Sequence, residues 1–486
     1  MRASTIVGSV QNHADRRPEA PALLVAGERV TYGTLARRVG ATCVWFQQRG
    51  VDVGDRVVLS ASPSVAFVVA YLGVHAAGAI AVPVATEAHD QRVRWTAGTV
   101  GATFALLVRR LEDMPCLCAS LQDLPNARSL ATDWEEPRST EIADVLFTTG
   151  TTGTPKGVML SHRNVSAAAD HINLDVGNRE RDLEASPLPV SHAFGLGRLR
   201  CVLRRGGAVA LLPDISDLSA LFEVLDDYGA TGLSCTPAGL ALIERLTGQR
   251  LGGYSEQLKY VEIGSGPMPL VQKQWLQAML PGTPLKLQYG LTEAARSISL
   301  DLGVAPEHLD TLGIASPGVR IRIADADGHQ LATDMTGEIQ IAGDHVMQGY
   351  WRDPELSRRA LAGGWMHTSD MGLQDEHGFY RLLGRSSEII NVGGFKVSPV
   401  EVEQWLQKHP GIVDCACTGM ADPENIRGEV VRACIVAAPS GPTDRELRRY
   451  LRDKVEAYAV PVRFDRVDTI PRSYSGKILR AKLRQL

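Results

Sequence analysis

The chain lacks the cysteine pattern of a metal-binding or disulfide-stapled protein. Its 486 residues include eight cysteines and no C-x-x-C pair; Cys116 and Cys118 are separated by one residue, as are Cys415 and Cys417. That alternation suits strands with small apolar side chains, and no histidine spacing completes a zinc set. Reduced thiols and a cytoplasmic location are expected. An excess of charge of either sign is also absent. A formal net charge of −4 argues against nucleic acid or an anionic membrane as the main partner. The opening stretch, MRASTIVGSVQNHADRRPEAP, has no apolar signal-peptide core. The most apolar run, VAFVVAYLGVHAAGAIAVPVA from Val65, is interrupted by His75, glycines and Pro83. It reads as helix, turn and buried strand rather than a membrane span. Internal repeats are missing as well.

What is present is a globular composition, 44% hydrophobic, with length for roughly two to four domains. Short apolar strands alternate with helical stretches through the first 145 residues: a hairpin around Ala26-Gly27-Glu28, a helix over Tyr32–Gln48, a strand over Arg56–Leu59, a helix over Val65–Gly78 and a strand over Ile80–Val84. The rhythm returns between Ser186 and Leu291, with strands at Ala208–Leu212, Gly232–Cys235, Tyr260–Ile263 and Leu285–Tyr289. This is β-α-β punctuation and implies mostly parallel, covered sheets. From Gly318 to Ile341 short strands flank Asp325-Ala326-Asp327-Gly328, a hairpin signal. After Gly384 the texture changes to an amphipathic helix over Val397–Lys408, strands over Ile412–Gly419 and Glu429–Ala437, and a charged helix over Asp444–Val455. The expected fold is α/β. A large N-terminal domain of layered αβ sheets with a β-rich subdomain spans residues 1–384, and a small mobile α+β domain spans residues 385–486.

One loop concentrates hydroxyls, glycine and a fixed cation. A strand over Asp144–Phe147 runs into TTGTTGTPKG at Thr148–Gly157. The Walker A pattern G-x-x-x-x-G-K-[ST] does not fit, because Gly150, Gly153 and Lys156 are spaced G-x-x-G-x-x-K and Gly157 takes the place of the magnesium-binding hydroxyl. Glycine still lets backbone N–H groups approach phosphate oxygens. Thr148, Thr149, Thr151, Thr152 and Thr154 offer hydroxyls, and Lys156 offers charge. Taken alone, the loop is either a phosphate cradle or a flexible linker; the preceding strand and Pro155 favour a cradle.

The run resembles the phosphate-binding signature of the adenylate-forming superfamily, which includes acyl- and aryl-CoA ligases, adenylation domains of peptide synthetases, and luciferases. Four further motifs carry the resemblance in the family's order: YGLTE at Tyr289–Glu293, TSD at Thr368–Asp370, Gly384-Arg385 followed by INVGGFKVSPVEVE, and PRSYSGKILRAKL around Lys477. The resemblance covers the chain from Val30 to Leu483.

The resemblance implies ATP, Mg²⁺ and CoA, or a carrier protein's phosphopantetheine arm, as cofactors and co-substrates. It implies that Lys477 bridges the substrate carboxylate and the α-phosphate; the residues alone also allow an ordinary solvated lysine in a basic tail. Glu293 would hold Mg²⁺ and Thr292 would bond the α-phosphate, although a strand followed by a helix capped at Thr292 is also compatible with this segment. Tyr289 would pack on adenine beside Gly290, and Asp370 and Arg385 would hold the ribose. Gly264-Ser265-Gly266-Pro267 resembles the small-residue adenine loop. Otherwise, Asp370 would be a surface ion pair and Gly264–Pro267 an ordinary turn. The family's hinge position falls on Ser387, where Asp or Lys is usual, and Asn391 stands where some relatives have lysine. Gly393 and Gly394 would line the thiol's approach.

The acid pocket is expected from Pro189–Gly197, Gly264–Pro267 and the residues after Glu293. His192 stands about where α-amino-acid enzymes carry an aspartate, which argues for an acyl or aryl acid. His192, Phe194, Gly195, Leu196 and Arg296 are the candidate pocket residues. Arg296 either pairs with a second anionic group on the substrate or pins its loop by bonding backbone carbonyls. The expected activity is activation of a carboxylic acid to an acyl-adenylate followed by thioester formation with CoA; the alternative acceptor is a carrier protein.

Overall fold

The structure is a computed structural model that describes residues 4–125, 134–148, 155–393, 395–424, 426–439, 441–472 and 476–485. The hairpin near the N-terminus forms because Ala26 and Gly27 take positive φ (48° and 80°), the twist a two-residue turn between antiparallel strands requires. Helix Val65–Ala76 starts at Ser64, whose side chain accepts from the Phe67 N–H, and its residues from Phe67 to Ala76 are all buried. A helix apolar on every side is one covered on every side. It packs against helix Tyr32–Gln47 and against strands Arg56–Ala61 and Ile80–Ala85.

Two large sheets share this helical layer. In the first, the order is Ile314–Ala315, Ala294–Asp301, Leu285–Leu291, Tyr260–Ile263, Gly232–Cys235, Leu183–Ser186, Ala208–Leu211, Pro21–Val25 and Glu28–Thr31. In the second it is Gly349–Tyr350, Lys156–Ser161, Ile142–Thr148, Ile80–Ala85, Arg56–Ala61, Phe104–Leu107 and Leu117–Ser120. One apolar cluster contains Leu23 and Val209 from the first sheet and Leu59 and Leu146 from the second. The interiors of both are parallel, as the β-α-β rhythm requires. A third, antiparallel sheet, Arg320–Ala324, Gly337–Ala342, Met366–Gln374 and Tyr380–Arg385, forms the β-rich part.

Beyond Arg385 the chain turns at residues 386–388 and builds a smaller unit on strands Ile412–Ala421, Glu429–Ala437 and Arg463–Arg466. Cys415 and Cys417 face one apolar cluster with Val402, Leu406 and Leu447, while Ala416 faces another with Leu483. The one-residue spacing of these thiols is therefore that of a strand covered on both faces. All eight cysteines are free thiols. Among the described residues no apolar cluster joins the two sides of Arg385. The helix expected over Val397–Lys408 is shorter, Pro399–Gln407, because Phe395–Val397 pairs with Ile390–Val392 and Ser398 then caps the Glu401 N–H. The charged helix likewise ends at Arg452. Among the described residues no helix is long and apolar enough to cross a membrane.

Candidate active site

The phosphate-loop motif occupies the mouth of a hairpin. Strand Ile142–Thr148 pairs antiparallel with Lys156–Ser161, and Thr148 lies directly opposite Lys156. Thr149, Gly150, Thr151, Thr152, Gly153 and Thr154 lie outside the described residues. Gly157 is held by close packing: a Cβ there would come 3.0 Å from Val145 and 3.1 Å from Trp351. On the far edge, Tyr350 pairs with Val158, and the Lys156 ammonium stands 5.6 Å from the Tyr350 ring centroid. The Tyr350 hydroxyl donates to Glu293 Oε1 at 2.9 Å. Lys156, Tyr350 and Glu293 thus form one group. Tyr350, in the run QGYW, was not singled out by its sequence; its aromatic ring on a short strand is the only local signal.

Glu293 and Thr292 form the tip of a tight hairpin between strands Leu285–Leu291 and Ala294–Asp301, with Leu291 paired to Ala294. No helix follows, so the capping role considered for Thr292 does not apply. The register shifts between Tyr289 and Leu291, and at Gly290 a Cβ would lie 2.2 Å from the Arg296 nitrogen. Only glycine fits there. The Met347 N–H donates to the Glu293 carbonyl and fixes the tip against the next segment. Glu293 belongs to no preformed three-ligand cluster among the described residues. A single carboxylate fits Mg²⁺, which keeps most of its shell as water and phosphate oxygen.

Asp370 and Arg385 are cross-strand partners in the third sheet. Arg385 Nε lies 2.6 Å from Asp370 Oδ1, and the Tyr289 hydroxyl donates to Oδ2 at 2.6 Å. The Asp370 N–H donates to Thr368 Oγ1, and Arg385 also donates to the Thr368 carbonyl. Ser369 between them has φ 60°, and its N–H reaches Glu338 Oε1. Tyr289 therefore meets Asp370 through its hydroxyl, a contact the expected adenine packing did not include. Burial raises the Asp370 pKa above the ordinary aspartate range, against the opposing pull of Arg385.

Lys477 reaches the same cleft from the C-terminal unit. It is exposed by area, yet the protein around its ammonium lowers its pKa from the lysine range; Arg385 adds to this, and Asp370 and Glu293 oppose it. The last motif thus faces the second, third and fourth motifs. Ser387 is exposed in the turn after Arg385. Gly393 has φ 60° and donates its N–H to the Arg427 carbonyl; Gly394 lies outside the described residues.

On the acid side, His192 occupies the N-cap position of helix Ala193–Arg205, with Nδ1 3.0 Å from Ser191 Oγ. His192 is exposed by area, yet the protein around its ring lowers its pKa, with Glu87 opposing. Gly195 is required by the helix start, since a Cβ would come 2.4 Å from the Pro189 carbonyl oxygen. Leu196 is fully buried in the main apolar cluster. Beyond strand Tyr260–Ile263 the small-residue loop turns at Ser265, with φ 78°, and Gly264 is packed under Phe194: a Cβ there would meet the ring at 3.4 Å. Arg296, with φ 51°, is buried; its Nε lies 2.6 Å from Glu262 Oε1, and Nη2 donates to the Phe194 carbonyl at 2.9 Å. That is the loop-pinning arrangement. Its buried partner Glu262 lies in the apolar strand YVEI, where a lone carboxylate is the local sign of a buried ion pair.

The sequence matches the AMP-binding enzyme family over residues 10–351 and the AMP-binding enzyme C-terminal domain over residues 401–477. It is 28% identical over 539 residues to a long-chain-fatty-acid–CoA ligase of Escherichia coli O157:H7, covering 99% of this chain and 94% of that one. It is 28% identical over 473 residues to a 2-succinylbenzoate–CoA ligase of Bacillus cereus, covering 96% of each. The fold superposes on the o-succinylbenzoate CoA synthetase of Bacillus subtilis in complex with its acyl-adenylate, with TM-score 0.86, 26% identity and coverage of 98% and 97%. An amide bond synthetase of Marinactinospora thermotolerans superposes with TM-score 0.87, 27% identity and 99% coverage of each chain. Matched over most of its length on both sides of the Arg385 turn, the protein is an adenylate-forming enzyme and belongs to the AMP-binding enzyme family.

Proposed function

We propose that the protein is an AMP-forming acid–CoA ligase. In the first half-reaction a carboxylate oxygen attacks the α-phosphate of ATP, the bond to the β-phosphate breaks, and acyl-AMP and pyrophosphate result. In the second, the CoA thiol attacks the acyl carbon, its proton is lost and AMP leaves. A carboxylate is a poor electrophile at neutral pH, and the adenylate supplies the leaving group. The protein's contribution is positioning and charge neutralisation.

Thr148, Lys156 and the intervening loop would hold the β- and γ-phosphates, and Thr292 the α-phosphate. Glu293 would hold Mg²⁺, whose charge would neutralise the phosphates. Tyr289, Gly264, Ser265 and Gly266 would border the nucleoside, Asp370 and Arg385 would take the ribose hydroxyls, and Lys477 would bridge the acid carboxylate and the α-phosphate. The observation that carries this reading is the meeting of Lys477 with Asp370, Arg385 and Glu293, three groups from three motifs whose charges act on its ammonium. For the second half-reaction, Ser387 would serve as hinge between residues 1–384 and 385–486, and Gly393 with Gly394 would border the thiol's path. CoA is preferred to a carrier protein because similar curated proteins are named CoA ligases. Use of ATP and CoA agrees with the cytoplasmic location suggested by the free thiols.

The test supplies purified protein with ATP, Mg²⁺, a panel of acids, and either CoA or holo-carrier protein. Acyl-CoA formation supports the proposal. Thioester formed only on the carrier would refute the choice of acceptor.

A further inference from the structure

Lys477 reaches the cleft on a short segment that two arginines tie down. On its N-terminal side Arg472 Nη1 donates to the Gly476 carbonyl at 3.0 Å, while Nη2 lies 2.7 Å from Asp414 Oδ1 on strand Ile412–Ala421. On its C-terminal side Ile478 pairs with Arg472, and the Leu479 N–H donates to the Pro471 carbonyl. The buried Arg480 follows directly.

Arg480 serves two carboxylates at once. Nη1 lies 2.5 Å from Glu403 Oε1 and Nη2 3.1 Å from Oε2, a bidentate pair. Nη1 also donates to the Cys417 carbonyl, and the Cys417 N–H donates to Glu403. That end of the guanidinium is locked to helix Pro399–Gln407 and strand Ile412–Ala421, inside the smaller unit. Nε donates instead to Glu388 Oε2 at 2.9 Å, in the turn that follows Arg385. On the near side of the same turn, the Ser386 N–H donates to the Ser369 carbonyl at 2.8 Å, beside the Asp370–Arg385 pair. Ser387 is exposed between them, with one neighbour bonded to the third sheet and the other to Arg480. The Glu388 and Ile389 N–H groups close the turn on the Arg385 carbonyl.

We infer that Arg480 and Glu388 are positioning residues: their bond joins the Lys477 segment to the residue just beyond Ser387, so that the two move as one piece and the place of Lys477 at the reacting atoms is set from that turn. This rests on the proposed adenylation reading, with its hinge at Ser387, and deepens it. The Glu403 and Cys417 bonds suffice to hold Arg480 within the smaller unit. The Glu388 bond reaches out of that unit's core to the turn that connects it with the rest of the chain. A displacement of about 1 Å in a catalytic group can cost about 10²-fold in rate, so loosening this bond acts on kcat.

The experiment measures acid-dependent ATP–pyrophosphate exchange, which reads the first half-reaction without any thiol. The pair is broken at Glu388, because removing Arg480 would leave Glu403 buried without a partner. The proteins are wild type, Glu388→Ala, Glu388→Gln, Lys477→Ala and the double variant Lys477→Ala/Glu388→Ala. Glu388→Ala is expected to lose about tenfold in kcat, with KM for ATP within about twofold and Tm little changed. Glu388→Gln, which can still accept from Arg480 Nε, is expected to recover part of that loss. In the Lys477→Ala background, Glu388→Ala is expected to change the residual exchange by less than about twofold, since no lysine remains to be placed. Wild-type kcat in Glu388→Ala would overturn the inference and leave the adenylation reading intact. So would an equal loss with and without Lys477, which marks a general effect on the fold. Exchange unchanged in Lys477→Ala would overturn the role given to Lys477 and the inference with it.

Discussion

Arg385 Nε stands 2.6 Å from Asp370 Oδ1, directly across the ladder between strands Met366–Gln374 and Tyr380–Arg385. Tyr289 occupies the other carboxylate oxygen. The carboxylate assigned to the ribose is thus held on both sides by residues of two other motifs, and its orientation is set before nucleotide arrives. Asp370→Ala is expected to raise KM for ATP by roughly 10–100-fold, the loss of about 1.5–3 kcal/mol for hydrogen bonds to a charged group. Tyr289→Phe, which loses a single donor to that charged carboxylate, should fall at the lower end of that range or below it. Initial-rate kinetics against ATP at saturating acid check both.

Lys477 must carry its proton to stabilise charge between carboxylate and phosphate. Its pKa is lowered by desolvation and by Arg385, so the charged form disappears at a lower pH than for a free lysine. Activity should decline on the alkaline side as pH rises through that lowered value. Lys477→Ala should lose roughly 10²–10³-fold in kcat for adenylation, with little change in KM for ATP, and should lose the alkaline limb. A pH profile of pyrophosphate exchange reads this directly.

Asp370 moves the other way. Its raised pKa means that the carboxylate protonates at a higher pH than an ordinary aspartate as the solution is acidified. ATP binding should therefore weaken as pH falls through that raised value, and Asp370→Asn should flatten the acid limb. Nucleotide affinity measured calorimetrically between pH 4 and 8 tests the sign.

Gly290 and Arg296 approach so closely that an added Cβ would lie 2.2 Å from the Arg296 nitrogen. Gly290→Ala should distort the hairpin that carries Thr292 and Glu293. The expected cost is above ~3 kcal/mol, seen as a fall in Tm together with lost exchange activity.

Tyr350 is expected to act through Glu293. Removing its hydroxyl donor by Tyr350→Phe leaves the Glu293 carboxylate less well oriented, at a cost of about 1.5–3 kcal/mol for a bond to a charged acceptor. The Mg²⁺ concentration for half-maximal exchange should rise at least several-fold while Tm changes little.

Motifs that form contiguous runs stand out in the sequence. Thr148–Gly157, Tyr289–Glu293, Asp370 and Lys477 stand in short motifs, and the strands of the two large sheets follow alternation and turn residues that act locally. Contacts made by residues distant in the chain were not legible. Nothing near Arg296 in sequence announces Glu262, and Tyr350 gives no local sign that it bonds Glu293; each pairing exists only because sheets bring the segments together. Boundaries drifted for the same reason, as at Phe395–Val397, where pairing with Ile390–Val392 displaced the start of a helix. The choice between two roles for Arg296 likewise depended on a partner buried in another strand.

The proposed activity is formation of acyl-adenylates at a site completed by Lys477. Acid-dependent exchange of labelled pyrophosphate into ATP tests it most directly, in wild type and Lys477→Ala side by side across a broad acid library. Exchange is expected with a subset of carboxylic acids, with a loss of roughly 10²–10³-fold in the variant. Exchange that survives unchanged in Lys477→Ala, or that no acid elicits in the wild type, would contradict it.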